Sequence, residues 1–92
     1  MLFRHERYEE GLRLRWSGRQ PKRELFPDNE TYRLYHTLSW TERKALREVL
    51  ILQQLLDEYV KDAGEKYGLN RRLRDARARF SELQKAANKQ SL

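Results

Sequence analysis

The sequence predicts an all-α fold: a small helical domain built on an antiparallel helical hairpin, residues about 40–63 and 70–88. Three observations carry this reading. Ala45, Val49, Leu52, Leu56, Tyr59 and Ala63 recur at spacings of 4-3-4-3-4, and Leu69, Leu73, Ala76, Phe80, Leu83 and Ala87 repeat that spacing. A period near 3.6 places each set on one helix face as an apolar seam. Ser39-Trp40-Thr41-Glu42 matches a capping box, in which the serine hydroxyl accepts from the third helical N–H and the glutamate reaches back.

In chain order, Leu2–Trp16 carries mixed signals. Leu12-Arg13-Leu14-Arg15-Trp16 alternates in the manner of a strand, which could pair with Leu2–Tyr8 through a turn at Glu9-Glu10-Gly11. A short or frayed helix is the preferred reading. Residues 17–27 hold turn formers and both prolines and read as an extended linker. Asp28-Asn29 caps a short helix, 29–38, with Leu34, Tyr35 and Leu38 facing inward. The central helix follows over 40–63. Gly64 and Gly68 then bracket a short connection, after which Asn70 could cap the last helix; a single long, kinked helix is the competing reading. The chain therefore reads as one domain, 1–92, with a basic N-terminal segment and linker (1–27) ahead of a helical core (28–92).

The central helix has a wide apolar arc. Leu46, Leu50 and Val60 extend its seam on one side and Leu55 on the other, while Ile51 points nearly opposite. One hairpin partner does not cover such an arc, so Leu50 and Ile51 are expected at a protein interface, in a homodimer or with an adaptor's partner. Trp16 sits among Arg13, Arg15 and Arg19. If exposed there, it marks an interface hot spot or a stacking contact. Tyr32, Tyr35, Trp40, Tyr59, Tyr67 and Phe80 are further aromatics for stacking single-stranded nucleic acid, but most lie at core spacing and are expected to pack.

Composition limits the function classes. There is no cysteine, hence no disulfide and no thiolate metal site. The longest apolar run, Val49-Leu50-Ile51-Leu52, is far short of the roughly 20 residues of a membrane span. The N-terminus lacks the apolar stretch of a signal peptide, and Glu6, Glu9 and Glu10 do not suit a mitochondrial presequence. A soluble, cytoplasmic protein is expected. His5 and His36 are 31 positions apart, outside any metal or nucleophile–base spacing. Asp57, Glu58 and Asp62 cluster at the end of the central helix, without a phosphate loop or serine elbow after them, and are expected to pair with the basic helix next door. No enzyme, cofactor, metal or small-molecule substrate is expected.

What remains is charge. The net charge is +6, and most of it lies after Gly64, where eight cations face three carboxylates. On a helical projection Arg71, Arg74, Lys85 and Lys89 share an outward stripe, while Arg72, Arg77 and Arg79 flank the seam and are candidates to pair with the acidic cluster. Gly64-x-x-x-Gly68-Leu69 echoes a helix-turn-helix turn, but Arg74 and Arg77 then occupy positions that should pack inward. Aligned cations neutralise phosphates with salt-dependent, largely sequence-independent affinity. The expected function is a non-enzymatic accessory or regulatory protein docking on nucleic acid or a nucleoprotein complex through Arg71, Arg74, Lys85 and Lys89. Arg13, Arg15, Arg19, Lys22 and Arg23 form a second basic patch. The alternative is a helical protein–protein module without nucleic-acid contact.

Overall fold

Every element of the computed structural model, which describes residues 4–18 and 20–90 and all their side chains but those of Arg4, Lys89 and Gln90, is helical. Helix α1 spans Arg4–Trp16, a 3-10 turn spans Arg23–Leu25, α2 spans Asn29–Thr37, α3 spans Trp40–Gln54 and runs into a π turn at Leu55–Tyr59, and α4 spans Ala63–Gln90. No strand occurs among the described residues.

The alternation in α1 is resolved by burial. A strand would place Leu12, Leu14 and Trp16 on one face; a helix places Leu12 and Trp16 together, four residues apart, and turns Leu14 away. Leu12 and Trp16 are buried while Leu14 is 75% exposed. The expected linker is also more than a tether. Pro21 and Phe26 are buried within it, and Phe26 meets Trp16, Tyr32 and Tyr35 edge-on at centroid distances of 4.9, 5.1 and 5.2 Å. The geometry is the one that aromatic quadrupoles favour.

Helix α2 starts as expected, with the Asp28 carboxylate accepting from the Thr31 N–H at 2.7 Å. Tyr35 is its buried anchor, whereas Leu34, expected inward, lies on the exposed side. Helix α3 has its full capping box: the Glu42 N–H donates to Ser39 Oγ at 3.3 Å and the Ser39 N–H donates to Glu42 Oε1 at 3.4 Å.

The break between the two long helices falls earlier than the glycines suggest. Val60 is extended (φ −107°, ψ 120°) and its N–H donates to the Leu55 carbonyl at 3.1 Å, closing the π turn. That wider turn buries both Leu55 and Val60. Asp62 then caps α4, its carboxylate accepting from the Glu65 N–H at 3.0 Å. Gly64 and Gly68 therefore lie inside α4, without positive φ, and Asn70 is not a cap. The Asp62 cap, worth about 1 kcal/mol, offsets part of the helix penalty of the two glycines, about 1 kcal/mol each, and burial of Leu69 directly after Gly68 stabilises the helix further.

A prediction follows for Gly68, where an added Cβ meets nothing within 4 Å. Gly68→Ala is expected to stabilise the chain by about 0.5–1 kcal/mol, through helix propensity and a less flexible unfolded state. A thermal melt followed by circular dichroism checks it. A lowered midpoint contradicts the placement of Gly68 within the helix.

Leu12, Trp16, Phe26, Tyr35, Leu46, Ile51, Leu52, Leu55, Val60, Leu69 and Leu73 form a single core cluster. Helices α3 and α4 share the most extensive packing, and Leu69 and Leu73 are the buried anchors of the α4 seam. The wide arc of α3 is covered from within the chain. Ile51 is only 3% exposed and lies beside Arg13 and Trp16 of α1. Leu50 is half-buried and faces Leu25, Phe26 and Pro27. The interface expected at Leu50 and Ile51 thus loses its premise, because α1 and residues 25–27 take the place of an external partner. No helix among the described residues is long and apolar enough to cross a membrane.

Candidate nucleic-acid interface

Helix α4 is 28 residues long, about 42 Å at 1.5 Å per residue, and spans most of the 47 Å long axis of the molecule. Burying Leu69 and Leu73 against the core fixes which way the opposite side points. Arg71, Arg74 and Lys85 are accordingly all exposed, and none takes part in an ion pair among the described residues. The side chain of Lys89, the fourth member of the stripe, lies outside the described residues. Asp75 and Glu82, also exposed, interrupt the stripe at its margin.

Of the flanking arginines, Arg79 is exposed and outside every ion pair among the described residues, whereas Arg72 and Arg77 are engaged. Arg72 reaches across to α1 and donates two hydrogen bonds to the Glu9 carboxylate, at 2.9 and 3.1 Å. Arg77 donates to Gln53 Oε1. The acidic cluster forms no ion pair with the cations of the basic helix among the described residues: Asp57 and Glu58 accept from the amides of Gln53 and Gln54 one turn earlier, and Asp62 caps the backbone of α4. A side-chain amide four residues back is a nearer partner for these carboxylates than an arginine on another helix.

Within the second basic patch the fold takes up Arg13, while Arg15, Lys22 and Arg23 are exposed and outside every ion pair among the described residues. Arg13 forms a bidentate contact with Glu48 at 2.7 and 2.9 Å and also donates to Glu9 at 3.0 Å. Its guanidinium is committed to α1 and α3, so it is not a free phosphate contact. The Glu48 hydrogen bonds, then those to Glu9, hold Arg13 firmly in its charged form. Arg23 donates to Asn29 and to the Phe26 carbonyl. Arg15 and Lys22 remain exposed, and Arg19 lies outside the described residues.

Glu9 is the hub of this network. The hydrogen bonds from Arg72 hold its carboxyl below the usual range against the opposing effect of burial, with Arg13 adding to the shift. A carboxylate whose pKa is depressed on folding contributes stability that is present above its unfolded value and lost as pH falls through the folded one. Glu9→Gln is expected to cost about 1–2 kcal/mol at pH 7, a value between exposed and buried ion pairs. The gap from the parent chain should close as pH falls through and below the ordinary glutamate range, where Glu9 becomes protonated. Urea unfolding at pH 7 and in acid measures it; a pH-independent gap contradicts the ionised role.

Trp16 requires a correction. It is 1% exposed, packed edge-on to Phe26 within the core, so it does not present an interface or a stacking surface. The helical turn of α1 carries it inward with Leu12, whereas Arg15 stays outside. The tryptophan that does stand among cations is Trp40, 48% exposed, with the Lys44 ammonium 5.9 Å and the Arg47 guanidinium 5.0 Å from its ring centroid. Positions 40, 44 and 47 are a helical i, i+4, i+7 set, so the capping box and the spacing together held that signal in the sequence.

Among the described residues no three histidine, cysteine or acidic side chains are grouped to hold a metal ion. No protein-family model, curated protein or solved structure matches this chain.

Proposed function

We propose that this chain is a small non-enzymatic accessory or regulatory protein that docks on nucleic acid, or on a nucleoprotein complex, through the basic outer face of α4. The observation that carries this reading is the state of Arg71, Arg74 and Lys85: exposed, on one side of a long helix, and without a carboxylate partner among the described residues. Exposed Asp75 and Glu82 lie beside them yet form no ion pair with them among the described residues, whereas Arg13 and Arg72 are matched to Glu9 and Glu48. Arginine's planar fork also suits phosphate. The cysteine-free composition suits a reducing, cytoplasmic setting.

Titrating labelled duplex and single-stranded nucleic acid at low and moderate salt tests the reading. Binding at low salt that weakens as salt rises is expected; no binding at low salt, or binding indifferent to salt, contradicts it. The alternative is a protein–protein module with no nucleic-acid contact. It is favoured by Leu14, an exposed apolar side chain on the outer side of α1. Sedimentation that shows self-association together with absent nucleic-acid binding would select it.

A further inference from the structure

We infer that the surface around Trp40 is a stacking site for an unpaired base of single-stranded nucleic acid. The inference rests on the nucleic-acid reading above for its ligand class, and adds a second contact face and a preference for strand state. Trp40 is a wall shared by two open clefts. One, of about 430 Å³, is lined on its far side by Ala76 and Arg79 of α4 and includes Lys44 and Glu48. The other, of about 690 Å³, is lined by Gln20, His36 and Arg43.

The indole is placed by rigid surroundings. It sits in the first turn of α3, directly after the capping box. Arg47, against its ring, is fixed by hydrogen bonds to the Tyr35 hydroxyl at 2.7 Å and the Gly18 carbonyl at 2.9 Å. Arg43 is fixed by the Tyr35 and His36 carbonyls, both at 2.9 Å. Anchored arginines lose little further freedom when a ligand arrives, which is the condition for a preorganised site.

The chemistry of the walls selects the ligand. Every nucleobase offers a π face to an exposed indole, and cations beside it meet the adjoining phosphates. Lys44 and Arg79 are exposed and outside every ion pair among the described residues. The carboxylate of these two clefts, Glu48, is occupied by Arg13. A duplex keeps its bases stacked on one another and offers Trp40 only phosphates, so the aromatic contact is specific to unpaired strands.

The test uses the full chain, oligo-dT, oligo-U and a mixed-sequence duplex at one low salt concentration. Stacking is expected to quench the emission of Trp40, with buried Trp16 as a constant background. Trp40→Ala is expected to weaken single-strand binding roughly 5- to 150-fold, the range of one lost base stack, and to leave duplex binding unchanged. Trp40→Phe should retain most of the affinity. Dichroism confirms that the variants fold; should Trp40→Ala fail to fold, the quench and Trp40→Phe decide. Unquenched emission on single-strand binding, or full single-strand affinity in a folded Trp40→Ala, overturns the stacking site while salt-dependent duplex binding still upholds the α4 reading. Absence of binding to all three probes overturns both. A stronger response to one oligonucleotide identifies DNA or RNA as the preferred source and supports the site.

Discussion

Replacing Trp16 with alanine is expected to lower the thermal midpoint by about 12–40 °C, the largest stability effect of any single substitution considered for this chain. Large aromatic truncations in a core cost about 3–5 kcal/mol, and in a domain of this size each kcal/mol moves the midpoint by about 4–8 °C. A chain of 92 residues has roughly 5–14 kcal/mol in total, so the loss removes about a fifth of the stability or more. The reason lies in what Trp16 joins. It packs on Phe26 and belongs to the same core cluster as Leu12, Ile51 and Tyr35, linking α1, the 3-10 segment, α2 and α3. Trp16→Phe should cost less, about 1–2 kcal/mol. The ring is partly kept, and a buried indole N–H without an acceptor among the described residues is removed. Dichroism melts of both variants measure the difference. A Trp16→Ala chain that melts like the parent contradicts the docking of α1, and with it the conclusion that Ile51 is covered.

The same residue shows where sequence reading succeeds and where it stops. Periodicity located α3 and α4 because their seams are long enough for the 3.6 period to stand out, and the capping box at Ser39 is a local motif that tertiary packing does not alter. The short N-terminal helix has few apolar residues, so alternation and helical spacing are hard to separate over five positions. What decides is which of Leu12, Leu14 and Trp16 the rest of the chain buries, and that depends on residues far away in sequence. The inter-helix break lies ahead of the glycines for a related reason. Glycine marks a possible turn, but Asp62 and the π turn at Leu55–Tyr59 compete for it, and a π turn has no spacing signature in an apolar run. At the candidate interface, Arg71, Arg74 and Lys85 were legible because a helix projects charge by angle alone. The pairing of Arg13 with Glu48, 35 positions away, was not, since long-range ion pairs follow from how helices dock. Trp40 was legible in principle by its spacing to Lys44 and Arg47, but its exposure was not.

The second large effect concerns binding. Neutralising the stripe as Arg71→Gln/Arg74→Gln/Lys85→Gln is expected to weaken nucleic-acid binding by about 500-fold at 0.1 M salt, since each phosphate contact contributes roughly 8-fold there through counterion release. All three side chains are exposed and outside ion pairs among the described residues, so helix content and melting should be nearly unchanged. A matched control separates the face from the net charge. Arg7, Arg33 and Lys61 are likewise exposed and lie off α4; their glutamine variant removes the same charge but should weaken binding only modestly.

The slope of log affinity against log salt, measured for the parent chain and for these two triple variants, tests the α4 interface most directly. A steep negative slope is expected for the parent, a slope shallower by about 2.7 for the Arg71/Arg74/Lys85 variant, and a change of less than about 1 for the Arg7/Arg33/Lys61 control. A flat slope for the parent, or equal slopes for the two variants, contradicts it.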